Sequence, residues 1–184
     1  MQGVELAPTI SAAFWDKFCC DFAFADARVD NNCYKLMMML LLQNPCSDIA
    51  DVEVAEDMPT FLNTKASSFA DTINGTDLQK SYGGIDYHLE TLPCVGGLDW
   101  RKVLVNCPQG VYALHCKPKA GGGINHFLVL DAYRKVVFCC NKEMQYYPYT
   151  VGMGKTALNT LFNKKLQLRS IDRVALLTRT PAKA

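Results

Sequence analysis

Residues 107–141 read CPQGVYALHCKPKAGGGINHFLVLDAYRKVVFCCN, and three apolar, β-prone runs stand out in them: VYALHC at 111–116, HFLVLDA at 126–132 and KVVFCCN at 135–141. Short runs of Val, Leu, Phe and Tyr bounded by glycine and polar loops have the composition of half-buried strands. Gly110 opens the first run and the loop KPKAGGG closes it, while only Tyr133-Arg134 separates the second from the third. That spacing predicts a β-hairpin. With Tyr133 and Arg134 as its loop, His126 falls directly opposite Asn141, with β-carbons about 4.5–5.5 Å apart on one face. Asp131 lies five residues along the same strand from His126 and therefore points to the opposite face.

Outward from this block the chain changes character. Upstream, Asp99 can cap a short helix over WRKVLVNC. Downstream come YYPY, a helix over ALNTLFNKK and a final strand RVALLTRT. The N-terminal part reads as helical. Ser11 can cap a helix over AAFWDKFCCDFAF, whose Phe14, Trp15, Phe18 and Phe22 build one apolar face. The polar stretch DARVDNN at 26–32 then leads into CYKLMMMLLLQN, a second and nearly all-buried helix stopped by Asn44-Pro45. Residues 46–95 are broken at Met58-Pro59, Asn74-Gly75 and Gly83-Gly84, and only short helices are expected there. Helices first and strands later predict the α+β class with an antiparallel sheet. One domain over 1–184 is expected, helical to about residue 100 and sheet from about 101.

Composition narrows the function. The chain of 184 residues carries 19 Lys+Arg against 18 Asp+Glu, a formal charge of +1, so it lacks the basic footprint of a nucleic-acid binder. The longest apolar stretch, LMMMLLL at 36–42, is far too short for a bilayer, and MQGVELAPTI has no secretory pattern. A soluble protein of the cytoplasm, with neither membrane nor nucleic acid as partner, is the expectation. Nine cysteines, an odd number that includes the adjacent pairs Cys19-Cys20 and Cys139-Cys140, fit a reducing compartment better than a disulfide framework.

Among those cysteines Cys33 stands apart. It opens the second helix, where free N–H groups and the helix dipole favour a thiolate, and it follows Asp30-Asn31-Asn32, which can cap the helix and flank the sulfur. The other eight read as small buried residues. A thiolate nucleophile needs a base, and only three histidines are present. His88 lies in a polar, turn-flanked segment and His115 inside a strand. His126 starts a strand just after Gly121-Gly122-Gly123, a side-chain-poor stretch that lets a substrate backbone approach. Asn141 is the first candidate to orient its imidazole and Asp131 the second.

This order of residues resembles the papain-like cysteine peptidase superfamily: a Cys at the start of a buried helix, then a His on a strand, then Asn or Asp on the next strand. Residues 107–141 are similar to the His-bearing part of bacteriocin-processing peptidases. Asp30-Asn31-Asn32-Cys33 instead resembles the nucleophile turn of ovarian-tumour-type deubiquitinases. The resemblance implies a papain-like α+β fold, N-terminal helices with the nucleophile helix packed on a C-terminal antiparallel sheet. It implies a thiol protease, a hydrolase of peptide or isopeptide bonds with a Cys33, His126, Asn141 triad and no cofactor or metal. Its partner would be a protein or peptide substrate, such as a ubiquitin-like tail or a polyprotein junction. The papain-type oxyanion glutamine has no counterpart, since Arg28 and Ala27 stand five and six residues before Cys33. Asp30, Asn31, Asn32 or the backbone N–H of Cys33 would serve instead. Tyr34 replaces the small residue usual after the nucleophile, and Leu128 stands where ovarian-tumour enzymes often carry an orienting group.

Other readings carry less. Gly152-Met153-Gly154-Lys155-Thr156 lacks the first glycine of a phosphate loop, and Cys94, Cys107, His115 and Cys116 lack the paired spacing of a zinc knuckle. The competing functional class is a noncatalytic, protein-binding or scaffold domain that keeps the papain-like fold.

Overall fold

The strand nearest the C-terminus organises the sheet. The computed structural model describes residues 3–22, 37, 40–43, 78–82, 85–91, 100–118, 126–139, 145–166 and 168–181. Within these, β8 (Leu168–Thr180) has neighbours on both edges. On one side it pairs with β3 (Ile85–Thr91), which in turn carries β2 (Leu78–Tyr82). On the other it pairs with β4 (Val111–Pro118) and, beyond the end of that strand, with the two-residue β1 (Glu5–Leu6). From β4 the sheet continues through β5 (His126–Asp131), β6 (Val136–Cys139) and β7 (Gln145–Pro148). Every pairing is antiparallel, in the order β2-β3-β8-β4-β5-β6-β7.

Side-chain alternation gives the sheet two covered faces. On one, Tyr112, Leu114, Cys116, Leu128, Leu130, Val137 and Cys139 join Val103 and Leu104 of α2 (Trp100–Asn106) in a single core. Leu158 of α3 (Lys155–Asn159) and Leu161 and Phe162 of its π-helical continuation (Thr160–Lys165) close that core. On the opposite face α1 (Ala12–Phe22) sets Trp15 against Phe138, ring centroids 4.7 Å apart, and edge-on to Tyr146. The start of α1 is held as the sequence requires: Ser11 Oγ accepts the Phe14 N–H at 3.0 Å. Residues 37 and 40–42 are helical, and Met37, Leu40, Leu41 and Leu42 are buried. Helices together with an antiparallel sheet make the α+β class.

Several expectations need correction. The 46–95 stretch, read as short helices, contains the β2–β3 hairpin, so the sheet draws on the N-terminal half and the division near residue 100 does not hold. The hairpin escapes a search for apolar runs because IDYHLE alternates: Tyr87 and Leu89 are buried while Asp86 and Glu90 are exposed. The last strand begins at Leu168 rather than Arg173. The helix expected over ALNTLFNKK changes to π geometry at Thr160, and Leu166 N–H reaches back to Leu161 O at 2.9 Å.

The β5–β6 turn is longer than two residues. It spans 132–135 and closes with Lys135 at φ 55°, a left-handed conformation that side chains other than glycine, Asn and Asp rarely take. Lys135 O accepts the Tyr149 N–H at 2.9 Å, which helps hold it there.

Candidate catalytic site

The expected register survives the longer turn. Asp131 faces Val136, Leu130 faces Val137 and Val129 faces Phe138, the frame in which Asn141 would be opposite His126. Asn141 itself lies outside the described residues, as do Cys33, Asp30, Asn31, Asn32, Gly121, Gly122 and Gly123. His126 is the first residue of β5, at the rim of the sheet, and pairs with Cys116 of β4. Both irregularities in the β4–β8 ladder fall at this rim, between His115 and Cys116 and between Lys117 and Pro118. Bulges of this kind bend strands and re-aim side chains, and they concentrate at sheet edges and beside active sites.

Asp131, the second candidate to orient the imidazole, is occupied elsewhere. Its carboxylate is fully buried. Oδ1 accepts the N–H groups of Tyr133 and Arg134 at 3.0 and 3.2 Å, folding the hairpin turn around it. Oδ2 accepts the Thr9 hydroxyl at 2.6 Å and the Ile10 N–H at 2.9 Å. Five residues of strand, about 17 Å at about 3.4 Å per residue, separate it from His126. Asp131 therefore joins the N-terminal segment to the β5–β6 turn. Its two bonds to Tyr133 and Arg134 N–H help to hold the four-residue turn in shape.

Residues 7–11 form a strap over this end of the sheet. Ala7 N–H bonds Leu177 O at 3.2 Å, and Ala7 O accepts the Tyr133 hydroxyl at 3.1 Å. Ile10 O accepts Arg134 Nη1–H at 2.7 Å. From the other side Gln43, which follows the helical residues 40–42, grips the same strap: its Nε2 donates to Thr9 O at 3.2 Å and its Oε1 accepts the Ser11 N–H at 3.3 Å. Sequence reasoning missed Thr9, Ile10 and Gln43, because contacts across 121, 122 and 34 residues leave no local pattern.

The described cysteines are not all buried as expected: Cys20 is exposed, and Cys19 and Cys107 are half-buried. Cys19 and Cys20 lie in α1, and Cys116 and Cys139 are buried in β4 and β6. Burial, with Asp16 and then Cys20 adding to it, pushes the Cys19 thiol up to about 11, and burial alone pushes that of Cys107 to about 11. Neither is a thiolate at neutral pH. His88 sits within β3, and His115 lies within β4 as expected. Among the described residues no three His, Cys, Asp or Glu side chains are grouped to hold a metal ion. Nor is any helix among them long and apolar enough to cross a membrane. No protein-family model, curated protein or solved structure matches the chain.

Proposed function

We propose that the protein is a cysteine peptidase of papain-like architecture that cleaves peptide or isopeptide bonds with Cys33 as nucleophile, His126 as base and Asn141 as its orienting partner. The observation that carries this reading is His126 at the head of β5, in the hairpin frame that would set Asn141 opposite it. The other end of the strand is anchored. Gln43 at the end of the second helix and Asp131 at the end of β5 hold the same three residues, Thr9 to Ser11. Cys33 lies ten residues before Gln43 in the sequence. His126 is about 17 Å of strand away from Asp131. The ladder irregularities beside His126 and the β5–β6 register support the same reading.

In this mechanism the Cys33 thiolate attacks the substrate carbonyl carbon, and donors at Asp30 to Cys33 stabilise the oxyanion. The C–N bond then breaks as the His126 imidazolium gives its proton to the leaving amine. Water, deprotonated by His126, hydrolyses the thioester and frees the thiol. Gly121 to Gly123 would line the cleft beside His126. A peptide-aldehyde or ubiquitin-vinyl probe tests the reading. Labelling at Cys33 that disappears in Cys33→Ala and in His126→Ala is expected; labelling spread over several cysteines, or none, refutes it.

A noncatalytic protein-binding role is the second reading. It is favoured by an open hollow of about 320 Å³ between β7 and the α3–π helix, lined by Tyr147, Met153, Leu161 and Lys165 among others. Pull-down of a partner that Met153→Asp abolishes, together with an unreactive Cys33, would establish that reading instead.

A further inference from the structure

We propose that the outer edge of β7 and the hollow beside it dock an extended peptide, which adds to the sheet as an antiparallel strand and seats one large apolar side chain, with an acidic residue two positions away, between β7 and the α3–π helix. This docking rests on the reading of the hollow as a protein-binding surface and is independent of Cys33.

The ladder decides which backbone groups of β7 face outward. In an antiparallel pair, bonded positions alternate with unbonded ones, and residues at unbonded positions turn their N–H and C=O away from the neighbouring strand. β6 pairs with β7 as Val136 with Pro148, Val137 with Tyr147, Phe138 with Tyr146 and Cys139 with Gln145. Tyr149 N–H donates to Lys135 O at 2.9 Å, so 149 is a bonded position and alternation makes 147 and 145 bonded as well. Tyr146 and Pro148 are therefore turned outward. Both are exposed, and β7 is the last strand of the sheet among the described residues. The edge offers Tyr146 N–H, Tyr146 O and Pro148 O to an incoming strand. Pro148 has no N–H to give. A second copy of β7 meeting this edge would lose a bond at each proline, whereas a short peptide needs only the groups that are present.

The hollow selects the side chain. Tyr147 lies between the two outward residues and borders the hollow of about 320 Å³ together with Met153, Leu161 and Lys165. Residues directly opposite in antiparallel strands carry their side chains on one face, so the peptide residue opposite Tyr147 points to the side of the sheet that holds the hollow. Tyr147 and Met153 pack against the core beneath, a wall suited to a Leu, Met or Phe anchor. Thr160, Leu161 and Lys165 of the lining belong to the π-helical segment, a geometry that occurs frequently at functional sites. Lys165 is exposed and stands with Lys164 at the end of that segment. An acidic side chain two positions from the anchor lies on the same face and complements this charge. The opposite edge of the sheet differs: β2 carries Lys80 at its middle, a usual guard against added strands, while β7 carries no charge.

The test is selection of short random peptides displayed on phage against the full-length protein, followed by fluorescence anisotropy and amide hydrogen exchange with the enriched peptides. These are expected to share one large apolar residue with Asp or Glu two positions away. Met153→Asp should weaken binding about 10-fold or more and Lys165→Glu about 5-fold, the latter effect fading as salt rises. Lys165 is exposed, so its variant keeps the fold should Met153→Asp lose it. N-methylation of either neighbour of the anchor removes a donor to Tyr146 O or Pro148 O and should weaken binding about 10-fold, while N-methylation of the anchor itself is tolerated. Bound peptide should slow exchange of the Tyr146 N–H about 10-fold or more. Absence of enrichment, binding that Met153→Asp and Lys165→Glu leave unchanged, or a Tyr146 N–H that exchanges equally fast with peptide bound overturns the proposal. Binding lost in Cys33→Ala but kept in the Met153 and Lys165 variants would place the peptide at the proposed catalytic pair, overturning the docking edge and leaving the peptidase reading standing.

Discussion

The two ends of β5 are built for different tasks. At its C-terminal end Asp131 is sealed from solvent, with four donors on its carboxylate and the N-terminal strap locked over it. At its N-terminal end His126 stands at the rim, beside a neighbouring ladder that shifts register twice within four residues, His115 to Pro118. Polar anchoring is concentrated at one end, and the irregular pairing lies beside the other. The comparison also shows that an acidic residue near a candidate histidine in sequence can be structural in full, since Asp131 orients a turn and a strap, with no carboxylate lone pair left idle.

Substitutions at the two ends should therefore fail in opposite ways. The largest effect is expected at the proposed catalytic pair: Cys33→Ala or His126→Ala should lower hydrolysis of a responsive substrate by about 10³-fold or more while the melting curve stays close to that of the wild type. Asp131→Ala should do the reverse. It strands a hydroxyl and three N–H groups, and a loss on the order of 3–5 kcal/mol is expected, seen as a lower urea midpoint with unchanged slope. A stable Asp131→Ala protein would dissolve the contrast between the ends.

Gly110 belongs to the anchored end as well. Its carbonyl accepts the Ala132 N–H at 2.9 Å, and a Cβ built on it would lie 2.8 Å from Leu176 Cδ1. Gly110→Ala should cost about 1–3 kcal/mol through overpacking, and Leu176→Ala in the same chain should return part of that loss. Additive losses from the two changes would contradict this contact.

The mildest prediction concerns alkali. Burial raises the Cys107 thiol from the usual 9.0 to about 11, and burial likewise raises the buried Tyr149 phenol, with the neighbouring Cys107 adding to it. The native state keeps these protons where the unfolded chain gives them up. The thiol's contribution is therefore complete below about pH 9 and is lost as pH rises toward about 11, whereas the phenol's is still complete at pH 9 and outlasts the thiol's. The melting temperature should fall over that window, and Cys107→Ala should flatten the slope. A melting temperature flat from pH 9 to 11 would show that the thiol is not sheltered.

Much of the sheet was legible in sequence and much of the anchor was not, for physical reasons. The β4, β5 and β6 runs are apolar blocks with clear breaks, and their hairpin register followed from counting outward from Tyr133-Arg134. The cap at Ser11 and the short helix after Asp99 were equally local. The β2–β3 hairpin carries an alternating signal in IDYHLE that a search for apolar blocks passes over, although period-two counting would find it. The π turn leaves no mark, because Leu158, Leu161, Phe162 and Leu166 keep ordinary helical spacing. The strap depends on polar contacts between distant segments, which propensity and periodicity do not encode. Of the candidate site, the sequence set His126 at the head of a strand, as found, and the same local reasoning could not assign Asp131 to the strap.

The central claim is that Cys33 and His126 meet at the rim of the sheet. A crystal structure of the peptide-aldehyde adduct tests it most directly. The account predicts Cys33 Sγ bonded to the inhibitor carbon and a His126 ring nitrogen within about 4 Å of that sulfur. Both His126 ring nitrogens more than about 6 Å from Sγ would contradict it.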